Sequence, residues 1–231
     1  MPRGLGARYA WGMITLMPDE CRVLGVLVEK AQTVASQYPI TLNALVTGCN
    51  QKSNRFPVTE LSEEKVLDAL DGLRAKKLAS EVMMSGSRVS KYRHLARETL
   101  AVSTLELILL TELLLRGPQS LGELRGHASR MHNLESLEGV QEILKGMMVV
   151  QGERQVLVKE IPPPPGSRGQ RYVQLLCPTL HRLDVARVEE GEESAAAPGQ
   201  VEKLEAQVAA LNAAVRELAK KLGEGEPRLV D

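Results

Sequence analysis

Residues 62–95 read SEEKVLDALDGLRAKKLASEVMMSGSRVSKYRHL, and this segment predicts a helix and the hairpin that follows it. Ser62 is a good N-cap residue, and the two acidic residues after it suit the positive end of a helix. Val66, Leu70 and Leu73 recur at helical spacing, so one helix face is apolar. Beyond the helix, two short runs of strand-forming residues flank a Ser-Gly-Ser turn, which predicts a β-hairpin with a polar tip.

Two further helices are predicted before this segment. The first covers residues 18–36, where apolar side chains recur at helical spacing after Pro18, a residue suited to the first turn. Thr41 can cap a second, shorter helix that ends near Gly48. Three helices followed by a hairpin is the element order of a winged helix, a variant of the helix-turn-helix.

The same order of elements occurs a second time along the chain. Leu42-Asn43-Ala44-Leu45 corresponds to Leu121-Gly122-Glu123-Leu124, 79 residues later, and residues 103–116 supply the first helix of the second copy. In the third helix, Ser62, Val66, Leu70 and Leu73 correspond to Ser136, Val140, Leu144 and Met147. In the hairpin turn, Gly86-Ser87-Arg88 corresponds to Gly166-Ser167-Arg168. We therefore predict a mainly α fold with small β-hairpins, of the α+β class, built as two tandem winged-helix domains plus a C-terminal heptad helix.

The C-terminal part of the chain has a different composition. Residues 188–199 are rich in Glu, Gly, Ser and Ala, which is typical of a linker. The apolar residues that follow step by three and four and are candidates for dimerisation: Val201, Leu204, Val208, Leu211, Val215, Leu218 and Leu222. This stripe predicts either a parallel two-stranded coiled coil, and so a homodimer, or a helix packed on its own domain.

The predicted organisation has six parts. They are a flexible leader (1–15), winged-helix domain 1 (16–97), winged-helix domain 2 (98–187), the linker (188–199), the amphipathic helix (200–223) and a flexible tail (224–231).

Composition excludes several classes of protein. The chain has 231 residues and 29 basic against 29 acidic side chains, so any function that depends on charge must be local. No apolar run is long enough for a membrane span, and the N-terminus is a poor signal peptide, so we expect a cytoplasmic protein that does not enter a membrane. Cys21, Cys49 and Cys177 are odd in number and far apart, which predicts core thiols and neither a disulfide framework nor a zinc site.

Charge on the third helix and the wing tests for nucleic-acid binding. Between Glu60 and Asp71 five acids stand against Lys65 alone, so this helix would repel DNA. Between Gly86 and Arg97 four cations have no acidic neighbour; they either attract phosphate or only balance the acidic helix beside them. The candidate residues for contact with double-stranded DNA are Arg88, Lys91, Arg93, Arg97, Arg125, Arg130, Arg168, Arg171, Lys52 and Arg55.

A polar turn between the second and third helices is another candidate site. It consists of Asn50, Gln51, Lys52, Ser53, Asn54 and Arg55. Such side chains satisfy loose backbone groups, so the turn either caps helix ends and holds the wing or faces a partner.

No catalytic constellation is found in the sequence. It contains no nucleophile elbow, Walker loop, HExxH motif or supported pair of carboxylates, so we expect no enzymatic activity, no catalytic residue and no cofactor. His127 and His132 are five residues apart and would point about 140° apart on one helix, so they predict no metal site. We expect them to be surface or capping residues.

Four segments carry a resemblance to a known family: residues 23–30 (VLGVLVEK), 37–39 (QYP), 42–45 (LNAL) and 49–55 (CNQKSNR). On these segments the chain resembles the YceH-like family of uncharacterised bacterial proteins, over about residues 16–183. The resemblance implies paired winged-helix domains in a bacterial cytoplasmic protein and brings no established activity. The chain departs from the family at Phe56, where the family has an acidic residue.

Two functional hypotheses follow. The first is a non-enzymatic, DNA-associated regulator that contacts phosphates through its basic wings. The second is an adaptor that binds protein partners through its winged helices and C-terminal coil, without direct DNA binding.

Overall fold

The computed structural model describes residues 13–83, 89–152, 154–163, 166 and 169–181. The chain divides into two units, Met1–Ala186 and Arg187–Asp231, and every described residue belongs to the first. The predicted linker, heptad helix and tail lie outside the described residues, and so do Arg88, Arg168 and residues 1–12 of the predicted leader.

The first repeat contains three helices and three strands. They are α1 (Pro18–Thr33), β1 (Ile40–Thr41), α2 (Leu42–Cys49), α3 (Glu63–Ala75), β2 (Ala79–Val82) and β3 (Lys91–His94). The prediction for α1 is three residues too long, because a separate 3₁₀ turn at Ala35–Gln37 follows it.

The second repeat has the same order of elements after a short connecting helix, α4 (Ala96–Thr99). Its elements are α5 (Thr104–Arg116), β4 (Gln119–Ser120), α6 (Leu121–Ala128), α7 (Leu137–Met147), β5 (Val158–Ile161) and β6 (Arg171–Gln174). The two series match element by element, as the internal repeat in the sequence predicts.

Hydroxyl side chains fix where most of these helices begin. The Thr41 hydroxyl accepts a hydrogen bond from the Ala44 amide, and the Ser62 hydroxyl accepts one from the Lys65 amide. In the second repeat, Ser103, Ser120 and Ser136 cap α5, α6 and α7 in the same way. Each cap satisfies one amide that has no partner within its helix, so the helix starts follow directly from the sequence.

Each repeat closes with a three-stranded antiparallel sheet, in the order β1-β3-β2 and β4-β6-β5. The registers correspond: Tyr92 lies opposite Ile40 in the first sheet, and Tyr172 lies opposite Gln119 in the second. Both tyrosines are buried and so face the core. Because side chains alternate along a strand, the residues before and after each tyrosine lie on the opposite face of the sheet.

The first helix of each repeat lies at the centre of the structure. Residues 20–29 of α1 and 107–115 of α5 are buried without interruption, because these two helices pack on each other as well as on their own repeats. Gly25 permits the close approach, since a Cβ there would lie 2.7 Å from Leu115 Cδ2. One hydrophobic core therefore runs through both repeats.

The segment before α1 contacts the second repeat. Ile14 and Gln155 exchange two hydrogen bonds of 2.6 and 2.9 Å, and the Leu16 amide donates to the Leu176 carbonyl at 2.7 Å. The predicted flexible leader therefore extends too far at its C-terminal end, because Ile14 is held by these bonds.

The α+β class is confirmed, with helices predominant and each sheet small and antiparallel. The assignment to winged helices and the boundaries between domains stay predictions. Within the part of the chain that the structure describes, no helix has both the length and the apolar composition needed to cross a membrane.

Candidate functional site

The exposed face of the first sheet carries two of the predicted phosphate-binding cations. Lys91 and Arg93 flank the buried Tyr92 on β3, so both project from the opposite face. Thr41 and Val82 lie opposite Lys91, and Ser80 lies opposite Arg93 and accepts a hydrogen bond of 3.0 Å from its Nε. None of these cross-strand neighbours is acidic, so the face has a local positive charge.

Arg97 lies close by along the chain, in α4. Its side chain is exposed and stands 3.4 Å from Glu98, a distance and exposure at which an ion pair contributes little. Arg97 can therefore exchange Glu98 for another anion at low cost.

Two predicted cations of the second repeat, Arg171 and Arg125, have partners inside the protein. Arg171 donates to the Pro118 carbonyl at 2.7 Å and lies 3.2 Å from the Glu123 carboxylate. Arg125 donates to the carbonyls of Leu134 and Glu135, both at 3.0 Å. These contacts hold β6 to the start of α6 and close the turn before α7. Among the described residues, the cations of β3 and β6 are therefore not equivalent.

The prediction that Arg55 contacts phosphate is wrong. Its side chain is fully buried and binds Glu29 through two hydrogen bonds, of 3.2 and 2.5 Å. It also donates to the Gly48 carbonyl at 3.1 Å. The guanidinium therefore holds the end of α2 to α1 and is closed to solvent.

The polar turn at 50–55 forms hydrogen bonds with the segment before α3 and with the second repeat. Asn50 exchanges two hydrogen bonds with Leu61, of 2.8 and 2.7 Å. Asn54 has a φ of 61°, a left-handed conformation that asparagine tolerates, and its Oδ1 accepts a 2.6 Å hydrogen bond from Arg116 in the second repeat. Lys52 and Ser53 remain exposed.

A buried ionic cluster joins the two repeats. Glu29 of α1 and Glu112 of α5 are 2% and 0% exposed, and Arg130 lies between them, 2.5 Å from Glu29 and 3.0 Å from Glu112. Arg55 completes the pairing of Glu29, and Arg116 lies 2.8 Å from Glu112. The cluster therefore pairs two carboxylates with three guanidinium groups and has a net positive charge.

The arginines keep Glu29 ionised in spite of its burial. Burial by itself opposes ionisation, but hydrogen bonds and charge from Arg55 and Arg130 outweigh it and lower the pKa of Glu29. Arg130, predicted as a phosphate ligand, pairs with two carboxylates, and 31% of its side chain remains exposed.

Glu29 and Glu112 are not among the residues predicted to form a site. A signal was present, because each is a single acidic residue within an almost continuous apolar run, at 23–29 and 107–115. A helix that is apolar on all sides is buried, and a charged side chain within it is unfavourable unless it forms an ion pair or hydrogen bonds.

The predicted third helices expose acidic side chains. On α3 these are Glu63, Glu64, Asp68 and Asp71, and on α7 they are Glu138 and Glu142. Such surfaces repel a phosphate backbone, which agrees with the expectation from charge alone.

His127 and His132 have separate surroundings, whereas the thiols of Cys21 and Cys177 lie within hydrogen-bonding distance of each other. His127 contacts Gln119 at 2.6 Å, and His132 is exposed. All three cysteines are buried and unbridged. In the described residues no three His, Cys, Asp or Glu side chains are grouped as metal ligands.

His181 is a buried titratable residue in the second repeat. Its ring stacks on Phe56, with centroids 6.1 Å apart. Burial lowers the pKa of His181 to about 4, and the charge of Arg22 acts in the same direction. The folded protein therefore keeps this ring neutral in the pH range where an unfolded histidine takes up a proton.

His181 should make folding sensitive to acid. Its folded pKa lies below the unfolded value, so its contribution is complete above about pH 6.5 and is lost as the pH falls toward 4. Between pH 7 and pH 5.5 we expect the wild type to lose about 1 kcal/mol more unfolding free energy than His181→Phe. Urea denaturation of both proteins at the two pH values measures this difference. Equal losses would show that His181 does not titrate in this way, since the carboxylates are common to both proteins.

The geometry defines a helical scaffold with a duplicated element order and a buried ionic cluster between the repeats. A family model described as "Protein of unknown function, DUF480" matches residues 16–180. The chain belongs to this family, which confirms the resemblance to uncharacterised bacterial proteins.

Named relatives are similar over most of their length. A UPF0502 protein of Burkholderia lata is 40% identical over 215 residues, covering 90% of this chain and 89% of the relative. A UPF0502 protein of Geotalea daltonii is 47% identical over 162 residues, covering 70% and 72%. A third, from Burkholderia thailandensis, is 41% identical over 203 residues, covering 88% and 84%. These names assign no activity.

Proposed function

We propose that the protein is a non-enzymatic, DNA-associated regulator that contacts phosphates through the exposed face of its first sheet. The observation that carries the proposal is the placement of Lys91 and Arg93 on one face of β3, with no carboxylate among their cross-strand neighbours. Arg97 adds a third cation nearby in the chain, and Arg88 precedes them in a segment outside the described residues.

The expected mode of binding is contact with the backbone and not the reading of bases. Two or three cations neutralise a few phosphates, which gives weak and strongly salt-dependent affinity. The acidic exposed side of α3 disfavours insertion of that helix into a groove. A protein of this kind would depend on a second copy or a partner for site selection, and the heptad segment at 201–222 is the candidate for dimerisation.

The proposal is tested by titrating a duplex with the wild type and with Lys91→Gln/Arg93→Gln over a range of salt concentrations, by fluorescence anisotropy. The variant should bind about tenfold more weakly at low salt, and its slope of log affinity against log salt should be smaller by about 2. Lys65→Gln/Lys145→Gln removes two exposed lysines from α3 and α7 and serves as the control. Absence of binding at low salt, or equal loss in both variants, would contradict the proposal.

The alternative is a protein-interaction adaptor, and one feature of α3 supports it. Leu67 is 40% exposed and lies among the exposed acids Glu63, Glu64, Asp68 and Asp71. An apolar side chain surrounded by carboxylates suits a basic partner with a small apolar contact. If the duplex titration fails and a purified partner binds the wild type but not Leu67→Glu, the adaptor replaces the DNA proposal.

A further inference from the structure

A pocket of about 530 Å³ opens beside the ionic cluster, between the C-terminal half of α1 and the polar turn. Glu29, Lys30 and Thr33 line it from α1, and residues 51–54 line it from the turn. Arg130 reaches it from the second repeat. The pocket is therefore complete only when the two repeats are packed together.

The carboxylate in this pocket contributes little free negative charge. Glu29 is 2% exposed and lies 2.5 Å from both Arg55 and Arg130, so two guanidinium groups neutralise it. The guanidinium of Arg130 keeps 31% of its side chain exposed. The inner wall of the pocket is thus an ion pair with a partly exposed cation.

Lys30 and Lys52 are the other two cations of the pocket, and neither forms an ion pair within the described ranges. Lys52 is exposed. Lys30 also lies in the last turn of α1, where a cation complements the helix dipole. Lys52 and Arg130 are therefore the main candidates for contact with an anionic ligand. They come from different repeats.

The chemistry of the walls indicates the class of ligand. The lining side chains are ammonium, guanidinium, amide and hydroxyl groups together with Glu29, and none is aromatic. Pockets for apolar or flat ligands are lined mainly by apolar and aromatic side chains. Ammonium and guanidinium groups form their strongest hydrogen bonds with phosphate and carboxylate oxygens.

We propose that this pocket binds a small free polyanion of the pyrophosphate or phosphate-ester class, held by Lys52 and Lys30 on one side and Arg130 on the other. The ligand bridges the two repeats and so stabilises their packed arrangement, because a ligand that binds only the folded state raises the unfolding temperature. The site uses none of the cations on the first sheet, and it goes beyond the proposed association with DNA.

The test is titration of the full chain with sodium pyrophosphate, followed by calorimetry and by thermal unfolding, with sodium chloride at matched ionic strength as the reference. Pyrophosphate should raise the unfolding temperature more than chloride does. Lys52→Gln should weaken binding by about fivefold, while Lys145→Gln, which removes an exposed lysine of α7, should leave it unchanged. Because Lys52 is exposed, its replacement should not alter the fold, which the unfolding curve without ligand checks.

Two outcomes would overturn the proposal. One is the absence of saturable binding, or equal binding by Lys52→Gln and Lys145→Gln. The other is displacement of pyrophosphate by duplex DNA together with weaker DNA binding by Lys52→Gln, which would make the nucleic-acid backbone the source of the phosphate. Unchanged pyrophosphate binding by Lys91→Gln/Arg93→Gln separates this site from the DNA proposal, so either can fail alone.

Discussion

Replacing Glu29 by glutamine is expected to lower the free energy of unfolding by about 3–5 kcal/mol, because it leaves a buried charge without its partner. The Arg55 side chain is fully buried and forms two hydrogen bonds with Glu29. Glutamine keeps the shape of the side chain but removes its charge. Arg130 still has Glu112 at 3.0 Å, so most of the loss falls on Arg55. Urea denaturation at neutral pH measures the change.

Two further variants separate charge from shape in this experiment. Glu29→Leu/Arg55→Met removes both charges and should be more stable than Glu29→Gln, since an apolar pair of similar volume needs no neutralisation. Glu64→Gln removes an exposed carboxylate from α3 and should change stability by less than about 0.5 kcal/mol. If Glu29→Gln behaves like Glu64→Gln, the buried Glu29–Arg55 pair does not stabilise the fold in the way expected here.

Replacing Gly25 by valine is expected to cost about 3 kcal/mol of unfolding free energy, because the side chain has no space between the central helices. A Cβ at this position would already lie 2.7 Å from Leu115 Cδ2 and 2.8 Å from its Cγ. Leu115 is fully buried, so it cannot move aside without disturbing the core. Thermal or urea denaturation measures the loss.

The matched control is the same substitution at Gly126, in the middle of α6. No atom lies within 4 Å of a Cβ built there, so Gly126→Val should change stability by less than about 0.5 kcal/mol. Equal effects at the two glycines would mean that the cost reflects valine in a helix and not the contact between α1 and α5.

Local signals in the sequence were sufficient to predict the helices and strands. Ser62 and Thr41 predict the helix starts that the structure shows, because capping depends on residues within one turn of each other. The two hairpins expected from the repeat are also present, since β2 pairs antiparallel with β3 and β5 with β6. The prediction for α1 extended too far because Val34 to Ser36 remain compatible with a helix, although the chain turns there.

Contacts between distant residues were not predictable in the same way. The sequence predicts Arg55 as a surface cation, because its neighbours in the chain do not indicate a buried partner. That partner is Glu29, which lies 26 residues earlier. Arg171 and Lys91 occupy equivalent positions, yet only Arg171 has Pro118 and Glu123 as partners. Whether a cation is available to a ligand depends on tertiary packing. Tertiary packing cannot be inferred from the charge pattern of one segment.

Because α1 packs on α5, we expect the two repeats to fold as one cooperative body. The pocket depends on this packing, because Lys52 and Arg130 belong to different repeats. Leu24 of α1 and Leu110 of α5 are both fully buried in the shared core, so their backbone amides should open only when the whole body unfolds.

Native-state hydrogen exchange of these two amides tests the claim most directly. We expect Leu24 and Leu110 to exchange with the same free energy of opening, equal to the free energy of global unfolding from urea denaturation. A lower opening free energy for one of them, with the other still protected, would show that the repeats unfold separately and would contradict the account.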